Sequence, residues 1–144
     1  MKSLYYYVSA LVIVTFLVVS CKTQNAQKAT TDITGKTWKL TELNGKPIEL
    51  KNPKNNPYFK LEMDGMRYQG HAGCNGLGGT FEIKPEVMRI KFNQGMSTMM
   101  ACEDLDIENQ FTKAILAADN YSVNGNTLTL NKARMAPLAK FVLQ

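Results

Sequence analysis

Four sets of side chains in this sequence have the types and spacing to do chemistry. The first is His71 with Cys74 and Cys102. His71 is the only histidine and lies three residues before Cys74. One imidazole and two thiolates could supply three ligands of an open zinc site, or a Cys–His pair could act as a nucleophile. Both arrangements need free thiols, and both lack an evident further partner. The second set is Met96, Met99 and Met100, whose soft thioethers suit Cu(I). The competing reading buries Met100 and treats the others as adaptable apolar groups. The third is the glycine-rich run Gly73, Gly76, Gly78 and Gly79. A phosphate cradle would need a following Lys-Ser/Thr and a helix N-terminus, whereas the strand-like Thr80 to Lys84 comes next. These glycines are expected to make a tight turn or bulge with positive φ, a region that Asn75 also tolerates. The fourth set is Glu103, Asp104, Asp106 and Glu108, which could hold a cation but more simply complement a helix dipole.

A third cysteine has a different job. Met1-Lys2-Ser3 is a short positive start, and Leu4 to Val19 is apolar but for Ser9 and Thr15. That run is short for a membrane span and matches the apolar region of a secretory signal. Val18-Val19-Ser20-Cys21 then resembles the lipobox of a bacterial lipoprotein signal. The resemblance implies cleavage before Cys21, acylation of Cys21, and a membrane partner reached through that lipid. Two or three acyl chains on one residue anchor stably, where one would bind marginally. Residues 1–20 are therefore expected to be a signal peptide and 21–34 a polar tether without aromatic residues. Gly35 to Gln144 is enough for one domain. Lys22 is not the aspartate that retains lipoproteins at the inner membrane of enteric bacteria, so the expected location is the outer membrane of a Gram-negative envelope.

Setting Cys21 aside leaves two cysteines in an oxidising compartment, and a disulfide between Cys74 and Cys102 is the expectation. It would close a loop of about 29 residues, worth roughly 3–4 kcal/mol in the chain-entropy model. A reduced pair, metal ligation and redox use stay open at this point, although no Cys-x-x-Cys is present. The net charge of +5 is modest, and no dense Lys/Arg run or aromatic-interleaved basic stripe occurs, so nucleic acid is not an expected partner.

The elements that must position these groups are short strands. Thr37 to Leu43 is β-rich and ends at Asn44-Gly45, a hairpin signal. Phe59, Leu61 and Met63 alternate with polar residues, as do Phe81 with Ile83, and Met88, Ile90 and Phe92. Asn124-Gly125-Asn126 joins two further strands, and Leu138 to Leu143 is the last. One segment breaks this period: Ile107, Phe111 and Ile115 recur every four residues, which predicts a helix over 103–118. Alternation with one wet face implies antiparallel sheet, and about eight such strands must close into a sandwich or barrel to hide their edges.

Gly70 to Asn75, Gly78-Gly79-Thr80-Phe81, Ser97-Thr98-Met99-Met100-Ala101-Cys102, then Glu108 and Phe111, together resemble the META/HslJ-like domain. The carrying positions are Gly73, Cys74, Asn75, Gly79, Thr98, Met100, Ala101 and Cys102, with the Trp38 strand and Asn124 to Leu130 hairpin in support. The resemblance implies a mainly β fold: a small antiparallel, lipocalin-like barrel with a single helix packed against it. It implies an envelope or secreted protein linked to heat shock, antibiotic tolerance or virulence, and it brings no catalytic residue. The expected function is thus a non-catalytic envelope lipoprotein, not an enzyme, without a cofactor or metal, acting on a protein partner. Two other readings remain: a carrier whose barrel cavity, lined by Trp38, Tyr68, Phe81 and Phe92, takes a small apolar ligand, and a copper, zinc or redox protein built on Cys74, Cys102 and the methionines.

Overall fold

Alternating side chains with one apolar face give nine strands in this computed structural model, which describes residues 32–133 and 137–144. They are β1 (Thr37–Leu43), β2 (Lys46–Pro47), β3 (Tyr58–Glu62), β4 (Arg67–His71), β5 (Gly76–Lys84), β6 (Arg89–Asn93), β7 (Asn120–Asn124), β8 (Thr127–Asn131) and β9 (Pro137–Leu143). Helix α1 (Leu105–Ala117) lies between β6 and β7. Every pairing is antiparallel, and β9 returns to β1 with Trp38 opposite Leu143 and Leu43 opposite Ala139. The two-residue β2 is an appendage of β1, so among the described residues eight strands close the barrel and leave no long open edge.

The barrel interior is a packed core. Trp38, Leu40, Phe59, Leu61, Phe81, Ile90, Phe92, Tyr121, Leu128, Leu130 and Phe141 are all buried. Phe59 meets Phe141 and Phe92 edge-on, with ring centres 4.9 and 5.9 Å apart, and Tyr68 meets Phe92 at 5.3 Å. The carrier reading placed Trp38, Tyr68, Phe81 and Phe92 around a cavity; instead they fill the barrel. Aromatic side chains of this size, contributed by most strands, leave no space of ligand size between them. A cleft of about 50 Å³ touches Tyr68, and a larger open one of about 620 Å³ lies outside the barrel, between the β1–β2 turn and Ile107 of α1.

Helix α1 turns Phe111, Ala114 and Ile115 inward, and Phe111 reaches Phe141 with ring centres 6.0 Å apart. It begins two residues later than its periodicity suggests because Glu103 and Asp104 are drawn into the preceding turn. Among the described residues no helix is long and apolar enough to cross a membrane.

Three boundaries differ from the sequence reading. The folded part begins before Gly35: Ile33 is fully buried, and its carbonyl accepts the Trp38 indole N–H at 2.8 Å. A buried tryptophan N–H needs an acceptor, and burial of the Ile33 side chain brings its carbonyl to that N–H. Met63 and Met88 are not strand residues. Each sits in a turn and is exposed: the alternation of residue types runs on through both, but the backbone leaves the strand after Glu62 and enters the next only at Arg89. Cys21 and the signal peptide lie outside the described residues.

Candidate functional site

The cysteine, glycine and methionine motifs converge on one end of the barrel, where the β4–β5 loop meets the segment 94–104. Cys74 and Cys102 form a disulfide, with Cα atoms 5.9 Å apart. Cys74 is buried and Cys102 exposed, so the bridge ties the loop beneath to the surface segment above.

Asn75 is the hub of this clasp. It is buried, and all of its polar groups are used. Its backbone N–H donates to Glu108 Oε2 at 2.6 Å, and its carbonyl accepts from Ala72 N at 2.7 Å. Its side-chain amide donates to Glu108 Oε1 at 2.8 Å and to the Met100 carbonyl at 3.0 Å. Its Oδ1 accepts from Met100 N at 2.7 Å and from the Thr98 hydroxyl at 2.8 Å. Thr98 Oγ1 in turn accepts from Gly76 N at 3.2 Å. Cys74 N also donates to Glu108 Oε2, at 3.1 Å. One buried carboxylate on the first turn of α1 thus holds three N–H donors of the β4–β5 loop, and charge-assisted bonds of this kind are the stronger class.

Asp104 does the same for another loop. Its two oxygens accept from Lys51 N at 2.9 Å and Asn52 N at 3.1 Å, so it makes no side-chain cap on its own helix. The dipole account of the acidic cluster therefore covers Asp106, exposed in the first turn, while Asp104 and Glu108 are receptors for backbone amides from loops far away in sequence.

The glycines are also corrected. Gly73 alone of the run has positive φ, at 114°. Gly76, Gly78 and Gly79 lie within β5, where the chain after β6 folds back over them: Leu77 bridges Ser97, and Gly78 N donates to the Met96 carbonyl at 3.0 Å. A Cβ on Gly79 would come 2.5 Å from the Asn93 carbonyl oxygen and 2.7 Å from the Tyr68 ring. For Gly78 and Gly79 the task is close approach of backbone, not a turn; a Cβ on Gly76 would meet only ordinary contact. Gly70, named above only as part of the family motif, and Gly95 face neighbouring backbone just as closely.

His71 is half-buried at the end of β4, stacked on Tyr58, and its Nδ1 accepts from Gly73 N at 3.1 Å. With the two sulfurs bonded to each other, no thiolate is left for zinc or for nucleophilic attack. Among the described residues no three His, Cys, Asp or Glu side chains converge. Met100 is not buried: its backbone is held by Asn75 while its side chain is 62% exposed. Met96 and Met99 are 86% and 96% exposed. The side chains of Ala101 and Leu105 are exposed as well.

A closed antiparallel barrel with one helix across an end, clasped there by a Cys-Asn loop, defines the architectural class. Residues 31–144 match the family model of the META domain, and the chain belongs to that family. The same fold recurs in solved structures at low identity. A DUF4847 family protein from Bacteroides vulgatus is 16% identical, with a TM-score of 0.60 over 76% of this chain and 93% of that one. A protein from Burkholderia xenovorans is 18% identical, with a TM-score of 0.61 over 78% and 83%. A further solution structure is 20% identical, with a TM-score of 0.59 over 77% and 91%. No curated protein matches the chain.

Proposed function

We propose that this chain is a lipid-anchored protein of the bacterial envelope that works by binding, not by catalysis, in an envelope or stress-related role. The observation that carries the reading is the division of labour in the clasp. Every group there with chemical potential is turned to structure: Cys74 and Cys102 to each other, Glu108 and Asn75 to backbone, His71 to a turn. The apolar groups are turned out: Met96, Met99, Met100 and Leu105 stand exposed on a segment whose backbone is pinned. Methionine is adaptable at binding surfaces, and a pinned backbone lowers the ordering cost of using it. The leader and Cys21 support the address and the lipid anchor, and Lys22 in place of a retaining aspartate supports the outer membrane.

The test uses a bacterial host lacking its own copy, scored for envelope-stress survival. Cys21→Ala is expected to lose the acyl mass on the mature N-terminus and membrane retention. Met96→Asp with Met99→Asp is expected to lose survival while thermal stability moves by no more than about 0.5 kcal/mol, as for exposed sites. His71→Ala is expected to retain survival. Loss with His71→Ala and full retention with the methionine pair would reverse the reading in favour of chemistry at the clasp.

A further inference from the structure

The end of the barrel opposite the clasp carries a second pattern. Successive strands alternate in direction, so the β3–β4, β5–β6 and β7–β8 turns share the end where β1 begins. Gly35 N donates to the Leu61 carbonyl at 2.8 Å, which fixes the start of the folded chain beside the β3–β4 turn. Two of these turns end in exposed apolar side chains: Met63 is 55% and Val87 58% exposed, and Met88 beside Val87 is exposed too.

Met88 occupies a costly position. Its φ and ψ are 51° and 38°, left-handed values that Gly and Asn adopt easily and that cost other residues roughly 1–2 kcal/mol. It is absent from the barrel core, so packing gives no reason for methionine there. A long apolar side chain is held outward at a turn tip where a small polar residue would suit the fold better.

We infer that this end of the barrel is a bilayer-facing surface, with Met63, Val87 and Met88 seated among the headgroups of a phospholipid membrane. The inference rests on the lipid-anchor reading of Cys21. Only residues 22–31 separate Cys21 from the described chain, a length that reaches about 36 Å at most. That tether joins the chain at this face and not at the clasp, so this face is the nearer one to the anchor; its reach exceeds the length of the longest strand, so contact of the face itself, not the tether, must seat it. Charge adds little: Lys36, Arg67, Lys84 and Arg89 at this end are offset by Asp32, Asp64 and Glu86. Apolar contact is the driving term, in the manner of interfacial anchors. The clasp then points away from the membrane.

The test reconstitutes the lipidated mature protein into phosphatidylethanolamine–phosphatidylglycerol vesicles containing a spin-labelled quencher lipid. An environment-sensitive dye is placed at Val87→Cys or, at the opposite end, at Lys46→Cys on β2. Quenching is expected to be roughly three-fold or more greater at position 87 than at 46, since only interfacial groups reach the acyl boundary. It is expected to persist in vesicles without the anionic lipid. Met63→Asn with Met88→Asn should leave the melting temperature unchanged or higher and at least halve the quenching at 87. Equal quenching at both positions, or no change in the double variant, overturns the inference. Intact mass of the N-terminal peptide reports the anchor separately. If Cys21 is unacylated, the anchor reading falls, and the two probes are read on a chain whose residues 1–21 are replaced by a hexahistidine segment held by nickel-chelating lipid. Quenching at 87 alone then sustains the surface, and its absence overturns it.

Discussion

At the residue scale, Glu108 decides how the clasp is held. It is a buried charge, which is tolerable because three N–H donors from Cys74 and Asn75 converge on its two oxygens. Glu108→Gln keeps the volume but places an amide N–H₂ against at least one of those donors. The expected cost is about 1–3 kcal/mol from an unsatisfied buried donor, read as a lower midpoint in urea with an unchanged slope. Asn75 has no isostere that serves as well. Aspartate would lose the donor to the Met100 carbonyl and set a second carboxylate 2.8 Å from the first. The clasp residues Cys74, Asn75, Thr98 and Cys102 thus form a single hydrogen-bonded and covalent unit, which accounts for their appearing together as a motif.

At the scale of elements, the strand pattern sends Tyr68 of β4 and Tyr121 of β7 into the barrel. Burial pushes both phenols above their ordinary range, and for Tyr121 the carboxylates of Asp32 and Glu86 add to it. The unfolded chain releases these protons near pH 10, while the folded chain keeps them longer. The unfolded state then binds fewer protons, so the stability present below about pH 10 is lost as pH rises beyond it. Among the described residues Tyr121 has no partner for its hydroxyl. Tyr121→Phe is expected to hold or raise stability at pH 7 by up to about 1 kcal/mol and to make the alkaline decline shallower, both measured by denaturation across pH. The inward rows of these strands were legible as alternation, and so was α1 from its fourfold spacing. The end of β3 was not, because Met63 continues the pattern by type although the backbone turns at Asp64. The site was legible as a set of residues and not as a structure. Cys74 and Cys102 stand out by count and compartment, but the partners of Asp104 and Glu108 lie 52 and 33 residues away at the nearest, and local spacing carries no mark of them. Gly79 could be seen as special; that its neighbour would be Tyr68 could not, because β4 and β5 must first pair.

At the scale of the whole molecule, the barrel has two unlike ends joined by a filled core. One end receives the N-terminal segment and presents Met63, Val87 and Met88; the other is crossed by α1 and carries the clasp with Met96, Met99 and Met100 outermost. The packed core between them fixes their opposition, so under the proposed anchoring at one end the other end faces away from the membrane. Everything in this account turns on the clasp being architecture. The most direct measurement is peptide mapping and thiol counting on protein isolated from its native host without reductant, followed by denaturation with and without reductant. The account predicts one linked peptide pair joining Cys74 to Cys102, no free thiol at either, and a loss of roughly 3–4 kcal/mol on reduction. Two reactive thiols in the folded protein, or a stability indifferent to reductant, would contradict it.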